Sequence, residues 1–166
     1  MVLELKKVFL CDGEKQNINC SVNLNDFDLN GEYPFVSPVS VSGCVQNRSG
    51  IVQLTMNVVF EFKSNCDRCQ KEIRKEYHEA FSHYLSEALS DNHSEEYIEA
   101  PDFQLDLDEL VKSDILLNLP HKFLCKDDCK GLCMNCGKDL NEGSCDCNRQ
   151  NIDPRLEKLQ QLIDLE

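Results

Sequence analysis

No apolar run in this 166-residue chain is long enough to cross a bilayer. The opening residues, Met1 to Leu10, hold no continuous hydrophobic stretch of signal-peptide length. Both absences favour a reducing cytoplasm, where thiols persist and metal binding is the commoner use of closely spaced cysteines. Tryptophan is missing, no segment repeats, and no low-complexity tract appears. Apolar residues at 41% and charged residues at 28% describe a globular chain, long enough for one core and a small appendage. There is no nucleophile elbow, phosphate-binding glycine loop or HExxH sequence, so nothing supports an enzymatic activity, a catalytic residue or a small-molecule substrate.

Lysine and arginine are also missing, but only locally. Residues 76 to 111 contain eleven acidic side chains and no Lys or Arg, and this segment supplies most of the net charge of -13. Such a field disfavours unaided binding of nucleic acid, which is held by cations on phosphates. It attracts basic proteins, with Glu87, Asp91, Glu95, Glu96, Glu99 and Asp102 as candidate contacts. A solvated acidic face without a partner is the plainer alternative.

What is plentiful is cysteine. Eleven are present, and six crowd together as Cys125-x3-Cys129-x3-Cys133-x2-Cys136-x8-Cys145-x-Cys147, with an upstream CxxC at Cys66 and Cys69. Paired cysteines two or three residues apart let one turn aim two sulfurs at one ion, and tetrahedral Zn2+ needs two such pairs. One or two structural zinc ions are expected. The most local set of four is Cys133, Cys136, Cys145 and Cys147, leaving Cys66, Cys69, Cys125 and Cys129 to staple the tail onto the upstream CxxC. A rival partition gives Cys125, Cys129, Cys133 and Cys136 one ion and the outer pairs another; both are open. Gly137, directly after Cys136, suits the positive φ that a knuckle turn requires. A four-thiolate shell leaves no place for water or substrate, the structural pattern. Redox chemistry of the thioredoxin kind needs CxxC at a helix start, whereas Cys66 and Cys69 are flanked by strand-like sequence. His121 is an alternative ligand but reads more simply as an exposed loop residue, and Cys11, Cys20 and Cys44 read as small buried side chains.

The fold expected is α+β: an antiparallel sheet or partial barrel with one packed helix, a small C-terminal zinc-knuckle module and a terminal helix. Leu54, Met56, Val58, Phe60 and Phe62 alternate along Ile51 to Phe62, the second arm of a hairpin that turns at Asn47 to Gly50. Ile73, Tyr77 and Phe81 place a more exposed strand beside it, making the CxxC its turn, with His78 and His83 solvated on that strand. Val2 to Leu10 and Ile18 to Leu24 read as strands, and residues 86 to 104 as a mobile acidic loop. A helix is expected from about Asp106 to Leu119, closed by Pro120 and buried around much of its circumference because Leu116, Leu117 and Leu119 exceed one stripe. Asp153-Pro154 caps a last helix with Leu156, Leu159, Leu162 and Ile163 on one face. The domains are therefore 1–120, 121–150 and 151–166.

The run Leu116-Leu-Asn-Leu-Pro120, the motif from Cys125 to Cys147, Asp153-Pro-Arg-Leu156 and the upstream Cys66-Asp-Arg-Cys69 together resemble the YceD family of large ribosomal RNA subunit accumulation proteins. The likeness runs from about Val39 to the C-terminus; Met134 stands where many relatives carry proline, which leaves the sulfur spacing intact. The resemblance implies a non-catalytic cytoplasmic factor in accumulation, processing or assembly of the large-subunit RNA. With the acidic segment, it points to a basic ribosomal protein or assembly factor as partner. A zinc-ribbon RNA binder using Lys122, Lys126, Lys130, Lys138 and Arg149 is the competing reading, and a thiol oxidoreductase the third.

Overall fold

The structure is a computed structural model and describes residues 1–29, 31–88 and 97–147. The elements run β1 (Val2–Glu4), α1 (Lys6–Leu10), β2 (Lys15–Val22), β3 (Val39–Arg48), β4 (Ile51–Asn65), β5 (Glu72–Ser86), β6 (Tyr97–Glu99), a 3-10 turn at Pro101–Phe103, β7 (Gln104–Asp106) and α2 (Leu107–Asn118). They form a five-stranded sheet in the order β2-β3-β4-β5-β6 and a two-stranded ribbon of β1 and β7. The larger sheet is curled as a half-barrel with a helix.

Period-two alternation creates this sheet. Val41 and Val45 on β3 and Leu54, Met56, Val58, Phe60 and Phe62 on β4 all turn to one buried face. Each such side chain removed from water stabilises the fold by roughly 1.5–3 kcal/mol. Arg48 pairs with Ile51, so the hairpin closes through Ser49 and Gly50, both at positive φ. The buried Asn47 beside it donates from Nδ2 to Val8 O at 2.8 Å and accepts the Gly50 N–H at 3.0 Å. One polar side chain thus ties α1 to the hairpin turn. β5 follows antiparallel for its whole length, from Asn65 opposite Glu72 to Val52 opposite Leu85, and is more exposed than β4.

α2 lies against the open face. Asp106 caps it, accepting the backbone N–H groups of Asp108 and Glu109. Leu107, Val111 and Ile115 enter the sheet core, while Asp114 meets His83 Nε2 at 2.7 Å and Asn118 donates to Glu79 at 2.7 Å. Burial raises the Asp114 carboxyl above its ordinary value, with His83 working the other way.

Several expectations are corrected here. Lys6–Leu10 is helical, because Leu5 and Val8 bury on one side as three-residue steps allow. The acidic stretch is not simply a loop. Tyr97–Glu99 adds a strand parallel to β5, its Tyr97 ring 5.8 Å from that of Tyr84, and Gln104–Asp106 pairs with β1. Three-residue strands are too short to show periodicity. α2 is buried along one face only: Leu117 is 86% exposed, since the sheet covers a single side. His83 is half-buried in its pair with Asp114, although His78 stays exposed beside Glu76. Cys11 is exposed and Cys20 and Cys44 are half-buried, so none is a core thiol. The terminal helix over 151–166 lies outside the described residues. Among the described residues, no helix is long and apolar enough to cross a membrane.

Candidate metal centres

The loop between β4 and β5 is the first half of the site. Cys66 N–H donates to Lys71 O at 2.8 Å, which closes the hairpin, and Gln70 N–H returns to Cys66 O at 2.8 Å. Gln70 takes φ +60°, the left-handed conformation usually left to glycine. The second knuckle repeats this geometry, with Gly137 N–H to Cys133 O at 2.8 Å and Gly137 at φ +73°. One turn thus occurs twice, once with glycine and once without.

Asp67 brings the second pair of cysteines to the first knuckle. Its N–H donates to Phe123 O and its carboxylate accepts the Phe123 N–H, both at 2.8 Å, while the Phe123 ring stacks on Phe62 at 5.3 Å. Arg68 donates from its guanidinium to Cys129 O at 2.7 Å. The connector after α2 is thereby pinned to the sheet hairpin just before Cys125.

The sulfurs gather in two fours. Those of Cys66, Cys69, Cys125 and Cys129 lie within 4.8 Å of one another, and those of Cys133, Cys136, Cys145 and Cys147 do the same. The rival grouping of Cys125 and Cys129 with Cys133 and Cys136 is not the one formed. Cys66 to Cys129 is 3.8 Å and Cys69 to Cys125 is 3.6 Å. A disulfide would bring sulfurs to ~2.05 Å, whereas a tetrahedron with metal–sulfur bonds of ~2.3 Å has edges of about 3.8 Å. The donor set and its spacing therefore fit a tetrahedral thiophilic cation. His121 is exposed and belongs to neither four-residue set.

The electrostatics agree. The N–H groups of Cys136 and Asn135 hold the Cys133 thiol down at about 6. Burial works against ionisation of Cys66, yet the N–H groups of Cys125, Cys69 and Arg68 bring it to about 6 as well. Burial likewise opposes ionisation of Cys129, and bonds from the Asn141 amide and the Gly131 N–H lower it. Cys125 is pushed up to about 12 by desolvation and the surrounding sulfurs, and Cys147 to about 12 chiefly by Cys136. Each set holds a ready thiolate, Cys66 or Cys133, beside a thiol, Cys125 or Cys147, that keeps its proton until a cation replaces it.

Residues outside the spacing pattern complete the site: Asp67, Gln70, Lys71, Gly131 and Asn141. Gly131 has φ +74°, and a Cβ there would sit 2.8 Å from Arg68 O. Of these, the sequence singled out Asp67 alone, as part of the Cys66-Asp-Arg-Cys69 run. The acidic candidates divide differently. Glu87, Glu99 and Asp102 are exposed around the far end of β5, where Glu99 pairs with Ser86; Asp91, Glu95 and Glu96 lie outside the described residues.

A family model described as Large ribosomal RNA subunit accumulation protein YceD matches residues 54–163, a span that includes both sulfur sets. The chain belongs to the YceD family. A protein of Bacillus subtilis (strain 168) described as the uncharacterized protein YlbN is 27% identical over 149 residues, covering 86% of this chain and 85% of its own. Two chloroplast proteins, each named as YCED homolog 1 of the large ribosomal RNA subunit accumulation proteins, are similar over shorter stretches. The one from Arabidopsis thaliana is 32% identical over 30% of this chain, and the one from Zea mays is 35% identical over 32% of it. The matched segments span only 16% and 18% of those plant proteins' own lengths. No solved structure matches. This chain thus belongs to a family described by large ribosomal RNA subunit accumulation and, among its described residues, carries two sulfur sets able to hold metal ions.

Proposed function

We propose that this YceD protein is a non-catalytic, zinc-stapled cytoplasmic factor that supports accumulation of the large ribosomal subunit RNA by binding a basic ribosomal protein or assembly factor. The family match carries the ribosomal half of this reading. The physical half rests on closure: four sulfurs around each ion leave no coordination position for substrate, so the metals hold shape.

Zn2+ fits best because it takes four thiolates tetrahedrally without redox chemistry. Cys66, Cys69, Cys125 and Cys129 would hold one ion and Cys133, Cys136, Cys145 and Cys147 the other. A thiol oxidoreductase is disfavoured, since the loop at Cys66 to Lys71 joins two strands and no helix begins there to activate a thiol.

Partner binding belongs to the opposite end. The metal loop precedes β5, and Glu87 follows it; fifteen residues at ~3.3 Å each make roughly 50 Å of strand, less where it curls. The acidic end can therefore engage a basic surface without touching the knuckles. Three lysines near the metals are answered: Lys71 by Asp139 and Glu142, Lys126 by Asp128, and Lys138 by the Ser144 carbonyl. That pairing weakens the case for a phosphate-binding patch.

The test is capture of partners from a lysate treated with ribonuclease, comparing the intact protein with a variant in which Glu87, Asp91, Glu95, Glu96, Glu99 and Asp102 are changed to Gln or Asn. Loss of basic ribosomal proteins with the variant is expected. Undiminished capture would overturn the electrostatic part. RNA binding that falls steeply with salt and maps to Lys122, Lys126, Lys130 and Lys138 would favour direct RNA contact instead.

A further inference from the structure

Asn141 belongs by sequence to the loop between Cys136 and Cys145, inside the distal sulfur set. Its side chain serves the other set. The amide Nδ2 donates to Cys129 Sγ at 3.4 Å, and Oδ1 accepts the N–H of Lys130, the next residue, at 2.9 Å. The orientation is fixed by Asp139, whose Oδ1 accepts from Asn141 Nδ2 at 2.7 Å and from Asn141 N–H at 2.8 Å.

Lys71 bridges from the opposite direction. It lies two residues beyond Cys69, and its Nζ stands 2.9 Å from Asp139 Oδ2 and 3.0 Å from Glu142 Oε1, both in the distal loop. The backbone joins the same pieces: Leu132 N–H to Arg68 O at 3.0 Å, Leu140 N–H to Gly131 O at 2.9 Å, and Cys133 N–H to Lys138 O at 2.8 Å. The two sulfur sets share one outer shell.

We propose that Asn141 and Lys71 are positioning residues that couple the two metal sites, so that an ion in the distal set strengthens binding in the proximal set. This rests on the zinc reading above. An ion held by Cys133, Cys136, Cys145 and Cys147 fixes the distal loop at both ends, which presents the Asn141 amide to Cys129. An N–H donated to a metal-bound thiolate offsets part of its charge and holds its rotamer, and removing such a partner typically costs about ten- to hundredfold in metal affinity. The coupling is reciprocal by necessity: a filled proximal set must favour the distal one by the same factor.

The experiment is Zn2+ titration of the full-length, metal-stripped protein under native mass spectrometry, with Co2+ absorption in parallel. Asn141→Asp keeps the acceptor for Lys130 and removes the donor to Cys129. The wild type should pass from no ions to two with a one-ion species well below its statistical share. Asn141→Asp should weaken the proximal site about ten- to hundredfold and shift the sulfur-to-cobalt charge-transfer band at saturation, a change that loss of folding alone would not produce. Cys145→Ser with Cys147→Ser should weaken the proximal site similarly, and adding Asn141→Asp to that pair should cost little more, because the amide acts through the closed loop. Lys71→Gln, outside both sulfur sets, should raise the one-ion share. Two ions bound at statistical shares, or penalties that multiply in the combined variant, would overturn the coupling and leave the zinc reading standing. A chain that binds no ion at all would instead remove the zinc reading itself.

Discussion

The sheet and the cysteine region of this chain are cohesive for different reasons. In the sheet, apolar side chains from β2, β3, β4, β5, α1 and α2 converge on one core. The cysteine region buries Cys66, Cys69 and Cys129 against Ile73, Leu124 and Leu132. Ordering a residue's backbone costs about 1–2 kcal/mol, so a segment running from 121 to 147 needs far more than three thiols and three side chains can return. A structural zinc supplies about 10–16 kcal/mol in small metal-folded peptides. Apolar packing holds the sheet, and in the reading proposed above metal–sulfur bonds hold the cysteine region.

The largest way to break this contrast is to remove ligands. Cys66→Ser with Cys69→Ser should leave one ion bound, seen as a single-zinc mass. Hydrogen exchange should then show residues 123–132 losing protection while β3 and β4 keep theirs. The opposite result, a sheet that melts with its knuckle, would merge the two regions.

Acid should separate them next. A cation must displace protons from thiols, so zinc affinity falls with falling pH by about tenfold per unit for each proton displaced. The fall steepens below about 6, where Cys66 and Cys133 also become protonated in the free sites. Zinc occupancy measured between pH 5 and 8 should collapse while the far-ultraviolet sheet signal persists; equal loss of both would contradict the division.

A core change should do the converse. Leu54 is fully buried on β4, and Leu54→Ala should lower unfolding stability by about 2–5 kcal/mol with both ions still bound in the native state. The smallest effect belongs to the first knuckle: Gln70→Gly relieves a positive φ and should slow zinc release from the proximal set slightly, by about 1 kcal/mol at most. Faster release would show that the Gln70 side chain itself supports the site.

These regions also differed in how plainly they were written. Alternation over Leu54 to Phe62 is long enough to announce a buried strand, and cysteine spacing announces paired sulfurs without any tertiary information. Gly137 marked its knuckle because glycine is the ordinary residue for positive φ. The equivalent Gln70 was silent, since the turn overrides its preference through the hydrogen bond to Cys66. β6 and β7 carry no readable alternation, because Ile98 and Leu105 are each the single aliphatic residue of a three-residue strand. His83 with Asp114 and Asn141 with Cys129 are pairs made by packing across 31 and 12 positions, which no local pattern encodes.

The most direct measurement is the metal content and fold of protein purified without chelator, by native mass spectrometry with elemental analysis, before and after EDTA. Two zinc ions per chain are expected, with EDTA removing both and unfolding residues 121–147 while the sheet stays folded. A freshly isolated chain that carries no metal, keeps its cysteine region folded and is indifferent to EDTA would contradict the claim that metal–sulfur bonds hold this region together.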